Sequence, residues 1–266
     1  MTKNFPSEIQ LPPVTAASGT VKLPGSKSIS NRALMLAALA SGTTRLTGLL
    51  RADDTERMLE SLTKLGVKVT ADGDAAVIEG AGGFFPVKSA ELFIGNAGTA
   101  ARTLTAVLAF AGGHYRLDGI ERMRERPIGD LLAALRTLGA DVTCEIKEGF
   151  LPLVFRPAVP VGRRVSVRGN VSSQYLTALL LTAPLIAPEE GLEITVEGEL
   201  ISRPYIDITL AMMKTFGVDV TVTKKGFRVA KGGYRAQENY AVEGDASGAS
   251  YFLALGALTG GPIRVE

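Results

Sequence analysis

The feature that most constrains this chain is a long internal repeat. The end of an amphipathic helix followed by a strand reads MLESLTKLGVKVT at Met58–Thr70, LLAALRTLGADVT at Leu131–Thr143 and TLAMMKTFGVDVT at Thr209–Thr221. The glycines at the helix ends, Gly66, Gly139 and Gly217, stand 73 and 78 residues apart. A period that long is a whole supersecondary unit, so the chain has to assemble several copies around a shared core. Each copy reads strand, helix, strand, helix and then a hairpin.

In the first copy the spacing predicts a helix over Ser28–Ser41, a strand over Thr44–Leu50 and a second helix over Thr55–Leu65. Asp53 is the expected cap of that second helix, with Glu56 three residues on as in a capping box. Gly66 stops the helix, and strands near Val67–Thr70 and Ala75–Glu79 follow. The second helices keep one register. Leu59, Leu62 and Leu65 match Leu132, Leu135 and Leu138, and then Leu210, Met213 and Phe216, each set lying on one helical face. The hairpin turns are expected at Gly73, Gly149 and Gly226.

The first helices differ in kind. ALMLAALA at Ala33–Ala40, LTAVLAFA at Leu104–Ala111 and YLTALLLTAPLI at Tyr175–Ile186 are apolar all round, which marks buried helices. Three units about one axis would therefore place three parallel helices inside and three outside. The inner helices start at GSKSIS (Gly25–Ser30), GNAGTA (Gly95–Ala100) and NVSSQ (Asn170–Gln174). Free amides and the helix dipole make such small, polar starts anion sites, and three at one end would form a cradle for phosphate or carboxylate.

Composition narrows the ligand. The net charge is +2 with no basic run, so nucleic acid is not a favoured partner and the anion-binding capacity must be local. Hydrophobic residues make up 46% and charged residues 21%, enough for a large core and against disorder. Cys144 is the only cysteine and is expected as a buried, inert thiol in a strand; His114 is the only histidine, so no zinc or other metal site is expected. Met1–Pro13 lacks the pattern of a signal peptide, and the longest apolar stretch, Tyr175–Pro188, is too short to span a bilayer. A cytoplasmic protein with no membrane partner is the expectation.

A fourth copy begins at Gly244–Glu266, where GDASGASYFLALGALTGGPIRVE parallels Ser26–Thr47 and ends on the second strand of its unit. The expectation is a truncated piece of a longer two-domain protein, because the new apolar helix would lack cover. Two generic phosphate motifs fail. GSKS at Gly25–Ser28 lacks the upstream glycine of a P-loop, and GAGG at Gly80–Gly83 runs into Phe84-Phe85-Pro86 instead of a helix.

Six segments occur in order along nearly the whole chain. They are LPGSKSISNRA at Leu23–Ala33, GNAGTAARTL at Gly95–Leu104, RMRERPIGDL at Arg122–Leu131, SSQY at Ser172–Tyr175, SRPYIDIT at Ser202–Thr209 and EGDASGASYFLA at Glu243–Ala254. Together they closely resemble the enolpyruvyl transferases, on the branch whose acceptor is shikimate 3-phosphate. The resemblance implies a mixed α/β (α+β) fold, an inside-out α/β barrel of three βαβαββ repeats around buried parallel helices, with a second similar domain. On that pattern residues 1–23 belong to the second domain, 24–240 form the complete domain and 241–266 start the second. Crossings near Pro24–Ser26 and Val242–Gly244 form the hinge.

The resemblance also implies an activity. The enolpyruvyl group of phosphoenolpyruvate passes to shikimate 3-phosphate by addition and elimination, with no metal or organic cofactor, in a cytoplasmic enzyme whose full-length form is a monomer. Lys27 matches the residue that contacts both substrates and takes part in proton transfer. Ser28, Arg32, Ser172, Ser173, Gln174, Ser202 and Tyr205 match shikimate 3-phosphate contacts; Gly98, Arg126 and Gln174 match phosphoenolpyruvate contacts. Arg102 and Asp245 are family-typical, with structural roles equally open. Thr103 stands where many members carry proline, which puts sensitivity to the herbicide glyphosate in question, and Gly248 stands where serine is common. The carboxylates for proton transfer are implied to lie on the second domain, so this chain alone is expected to bind substrate and turn over poorly. Two rivals are a non-catalytic binding half that needs a separate partner and the sister transferase acting on UDP-N-acetylglucosamine. The latter typically carries Lys-Asn where Lys27 is followed by Ser28.

Overall fold

Three helices apolar on every face need a surrounding layer, and the larger unit of the fold supplies it. The computed structural model describes residue 6 and residues 8–266; of the opening segment 1–23 and the Met1–Pro13 stretch, residues 1–5 and 7 lie outside the described residues. In chain order the elements are β1 (Gly19–Val21), α1 (Lys27–Leu39), β2 (Ser41–Thr47), α2 (Asp53–Lys64), β3 (Lys68–Asp72), β4 (Ala75–Ala81) and β5 (Ser89–Phe93). Then come α3 (Gly98–Leu108), β6 (His114–Asp118), α4 (Glu121–Arg124), α5 (Gly129–Thr137), β7 (Asp141–Cys144), β8 (Leu153–Arg156) and β9 (Arg164–Arg168). The remainder are α6 (Ser173–Ile186), β10 (Leu192–Glu197), α7 (Arg203–Thr215), β11 (Val220–Thr223), β12 (Gly226–Val229), β13 (Asn239–Ala241), α8 (Ala246–Thr259) and β14 (Ile263–Val265). They divide into a unit of Gly25–Glu243 and a unit of Met1–Pro24 with Gly244–Glu266.

In the larger unit three four-stranded sheets share one pattern, a parallel pair extended by an antiparallel hairpin. Their orders are β5-β6-β8-β7, β9-β10-β12-β11 and β13-β2-β4-β3. The first repeat takes its opening strand from the far end of the unit, with Asn239 opposite Arg45 and Ala241 opposite Thr47. One face of each sheet is apolar. In β4 the buried Ala76 and Ile78 alternate with less buried neighbours, as a half-buried strand requires.

The helices lie on that apolar side. Every residue of α1 from Ile29 to Leu39, every residue of α3 and nearly all of α6 beyond Gln174 is buried. The outer helices bridge the inner ones in rotation. α2 packs on α1 and α3, α5 on α3 and α6, and α7 on α6 and α1. Each does so with one stripe. Leu62 and Leu65, then Leu132, Leu135 and Leu138, then Met213 and Phe216 are all buried, and Leu59 and Leu210 pack partly against the same core. The mixed α/β architecture with three interior helices is the one expected.

Several local expectations are corrected. Asp53 is the first residue of α2 and not its cap. The N-cap is Ala52, whose N–H donates to Thr55 Oγ1 at 3.2 Å, so threonine does the work assigned to Glu56. Asp53, Asp54 and Glu56 instead fill the first turn, where the dipole favours negative charge. β2 starts three residues earlier than expected because Ser41–Leu46 pair along β4. Gly226 opens β12, and the turn falls at Lys224-Lys225 before it; a Cβ at Gly226 would lie 2.0 Å from the Ile194 carbonyl oxygen of β10, which is why the position is glycine. Cys144 ends β7 half-buried, with the Gly149 N–H donating to its sulfur at 3.3 Å.

In the smaller unit β1 pairs in parallel with β14, Gly19 opposite Ile263. Asp245 caps α8 by accepting from the Ser247 N–H at 3.0 Å, and no residue of α8 is buried. Among the described residues no helix is long and apolar enough to cross a membrane.

The packing of α1 on β4 makes a testable demand. A Cβ at Gly80 would lie 2.1 Å from the Ala40 carbonyl oxygen and 2.4 Å from that of Ala37. Neither backbone oxygen can move without moving α1. Gly80→Ala is expected to destabilise the chain by about 1–3 kcal/mol, the usual range for overpacking, read as a lower urea midpoint at unchanged m-value.

Candidate functional site

The three inner helices begin beside one another because they run parallel inside one shell. Ser26 precedes α1 and Ala97 precedes α3, and neither contributes a side-chain cap. Their first-turn amides therefore face the end of the barrel without a side-chain acceptor. α6 is capped by Ser172, whose Oγ accepts from the Gln174 N–H at 3.2 Å.

A cleft of about 330 Å³ opens at this end. Lys27, Ser28 and Arg32 enter it from α1, Gly98 and Thr99 from α3, Ser173 and Gln174 from α6, and Tyr205 from α7; Asp54, Asn96 and Arg126 complete the wall. Eight of the residues singled out in the sequence thus come together. Ser172 is not part of the lining and serves as the α6 cap. Ser202 does not line the cleft. It is exposed, and it precedes α7 in the left-handed region at φ 55°, alone among the described non-glycine residues.

The charges are unbalanced toward cations. Lys27 Nζ lies 3.9 Å from Asp54 Oδ1, a loose contact between a half-exposed lysine and a less exposed acid. Such pairs contribute little, so the ammonium stays available to another anion. Arg32 is 2% exposed and is held by oxygens that carry no charge. Its Nε donates to Thr209 Oγ1 at 2.9 Å, Nη1 to the Ser28 carbonyl at 2.9 Å, and Nη2 to Thr177 Oγ1 at 3.1 Å and the Tyr205 carbonyl at 3.3 Å. Burial lowers its pKa to about 10.

Arg126 reaches over the start of α3, donating from Nη1 to the Asn96 carbonyl at 2.9 Å and to Asn96 Oδ1 at 3.3 Å. Behind it Arg102 is buried, with Nη2 donating to the Pro127 carbonyl at 2.8 Å and Nε without a partner. Burial first, and then the charge of Arg126, lower the Arg102 pKa to about 10. Tyr175 OH also donates to the Pro127 carbonyl, at 2.7 Å, and so ties α6 to the loop that carries Arg126. Chemically this is a site for a ligand with more than one anionic group. Among the described residues no group of three or more His, Cys, Asp or Glu side chains stands ready for a metal ion.

Asp54, Asn96 and Thr99 were not singled out in the sequence. Asn96 and Thr99 lie in the same GNAGTA start as Gly98, so their signal was present. Asp54 was hidden by its neighbour, because an acidic pair opening a helix reads as a cap. Gln174 Nε2 lies 3.5 Å from Thr99 Oγ1, which brings the starts of α6 and α3 together.

Comparisons with known proteins agree with one another. Residues 11–266 match the family model of EPSP synthase (3-phosphoshikimate 1-carboxyvinyltransferase). The chain is 57% identical over 264 residues to the 3-phosphoshikimate 1-carboxyvinyltransferase of Burkholderia multivorans and 56% identical to that of Burkholderia cenocepacia. Each match covers 97% of this chain and 60% of the relative, so the chain spans about 60% of the length of the curated relatives it matches. A solved EPSP synthase from Acinetobacter baumannii superposes with a TM-score of 0.78 at 26% identity, over 91% of this chain and 54% of that one.

The cleft geometry predicts the effect of one methyl group. A Cβ at Gly98 would lie 2.2 Å from Arg126 Nη2. Gly98→Ala should push the guanidinium aside and weaken binding of inorganic phosphate roughly tenfold, the loss of one charge-assisted hydrogen bond. Calorimetric titration checks this, with an unchanged melting temperature showing that the barrel is intact.

Proposed function

We infer the function from a plain premise: the chain belongs to the EPSP synthase family. We propose that its cleft holds shikimate 3-phosphate and phosphoenolpyruvate for transfer of the enolpyruvyl group, giving 5-enolpyruvylshikimate 3-phosphate and phosphate, a step of aromatic amino acid biosynthesis. The observation that carries this reading is the meeting of three helix starts with Lys27, Arg32 and Arg126 in one cleft. Two phosphates and a carboxylate repel one another, and only fixed cations and helix dipoles in a site shielded from water offset that repulsion.

The roles follow the family pattern. Lys27, Ser28, Arg32, Ser173, Gln174 and Tyr205 contact shikimate 3-phosphate from the cleft, while Ser172 and Ser202, which do not line it, are assigned to the same ligand by the family pattern alone. Lys27, Gly98, Arg126 and Gln174 contact phosphoenolpyruvate, Arg126 through the planar fork that fits a carboxylate or phosphate. In the addition step the acceptor hydroxyl oxygen bonds to C2 of phosphoenolpyruvate, its proton leaves to a base, and C3 takes a proton to become a methyl group. In the elimination step the bond from C2 to the phosphate oxygen breaks, phosphate departs, and a methyl proton is lost to restore the double bond. Lys27 takes part in this proton traffic, with the remaining acid and base groups on a second domain.

In this reading residues 24–240 are the complete shikimate 3-phosphate domain, residues 1–23 and 241–266 belong to the second, and the whole protein is a cytoplasmic monomer that closes about a hinge. Closure would exclude water and align the hydroxyl with C2. The chain alone is then expected to bind shikimate 3-phosphate one to one without steady phosphate release. Titration calorimetry at low salt tests it, with Lys27→Ala weakening binding by tenfold or more. Binding unchanged in Lys27→Ala, or no heat from folded protein, would remove the assignment.

A further inference from the structure

Outside the cleft, at the end of β6, lies a carboxylate that the transfer reaction does not use. Asp118 is 6% exposed and is surrounded by donors. Arg124 grips it with both arms of its guanidinium, Nε to Oδ1 at 2.9 Å and Nη2 to Oδ2 at 2.6 Å. The Gly119 N–H donates to Oδ1 at 2.8 Å and Arg116 Nη2 to Oδ2 at 3.2 Å. Glu145 holds Arg116 in turn, 2.8 Å from its Nη2.

What this cluster fastens is the segment that presents Arg126. Arg124 ends α4, a single turn of four residues. An isolated turn that short does not hold its own geometry, so its position must come from outside contacts. Its start is stitched to the loop before α3, with the Ile120 N–H donating to the Gly95 carbonyl at 3.1 Å and the Ile94 N–H to the Asp118 carbonyl at 2.9 Å. Its end passes directly to Arg126, whose N–H donates to the Met123 carbonyl at 3.1 Å. Asp118 therefore anchors α4 from one side while Arg126 projects from the other toward Asn96.

We propose that Asp118 is a positioning residue for Arg126, acting through the Arg124 fork to hold α4 in the register that sets the Arg126 guanidinium over the start of α3. The proposal rests on the reading of Arg126 as a phosphoenolpyruvate contact, and it names a determinant of that contact outside the cleft. Arg126 is also clamped from its far side, where the Pro127 carbonyl accepts from Arg102 and Tyr175. The two anchors make opposite predictions. If the Pro127 clamp were sufficient, loss of the Asp118 charge would leave Arg126 where it is.

Arginine modification by phenylglyoxal, followed residue by residue by mass spectrometry, separates these cases without needing a bound ligand. In Asp118→Asn the rate at Arg126 should rise at least threefold while that at buried Arg32 stays unchanged. Arg124→Gln, which alters a more exposed residue, should do the same. An Arg126 rate unchanged in both variants would overturn the proposal, and so would equal rises at Arg126 and Arg32, which report general loosening. A parallel arm with phosphoenolpyruvate plus shikimate 3-phosphate asks whether the ligands slow modification of Arg126 in the unaltered chain. Lack of protection would count against the functional reading, while the rates in the variants decide the role of Asp118.

Discussion

Burying helices that are apolar on every face determines where this molecule can put its polar chemistry. α1, α3 and α6 cannot face water, so the sheets must close around them, and the outer helices must seal the gaps between neighbours. Parallel helices inside one shell necessarily begin at one end. Their unpaired amides then add their partial positive charges in a single place, before any side chain contributes. Beyond the buried Arg32 and Arg102 and a few threonines, these helices carry their polar chemistry at their starts. The cleft is thus a by-product of the core.

The two buried arginines show the cost of that arrangement. Burial lowers the pKa of both Arg32 and Arg102 to about 10, well below the ordinary arginine value. A depressed value in a base means that the folded state disfavours the charged form, so in the alkaline range the unfolded chain binds more protons and stability rises as pH passes above about 10. At neutral pH both groups are charged, Arg32 among hydroxyls and carbonyls and Arg102 among carbonyls and the Met123 sulfur. An anion entering the cleft would offset this penalty, so occupancy of the site and stability of the fold are coupled.

Much of this was legible in the sequence because it is written in periodic apolar residues. The stripe Leu132, Leu135, Leu138 and the all-round apolarity of Ala33–Ala40 each permit one placement only, and both were read correctly. Motifs at the inner helix starts located Lys27, Arg32, Gly98 and Gln174, which the fold brings together. The failures are of two kinds. Short-range polar choices, such as Thr55 against Glu56 at the start of α2, differ by small energies that spacing does not reveal. Tertiary partners, such as Asn239 with Arg45 across the whole unit or Asp118 with Arg124 across a turn, depend on how the backbone bends between them. Ser202 is a motif residue that the fold leaves outside the cleft lining, at the start of α7.

The pairing of β13 with β2 also has a consequence for how the chain is made. The opening strand of the first repeat lies at Asn239–Ala241, after both other repeats. During synthesis the second and third sheets can each close as soon as their own strands emerge from the ribosome. The first sheet must wait with one edge bare until the end of the unit appears, a contact spanning 194 residues. The repeat translated first is therefore the last to be finished, and the lysine at its helix start joins a complete cradle only when the whole unit has been made.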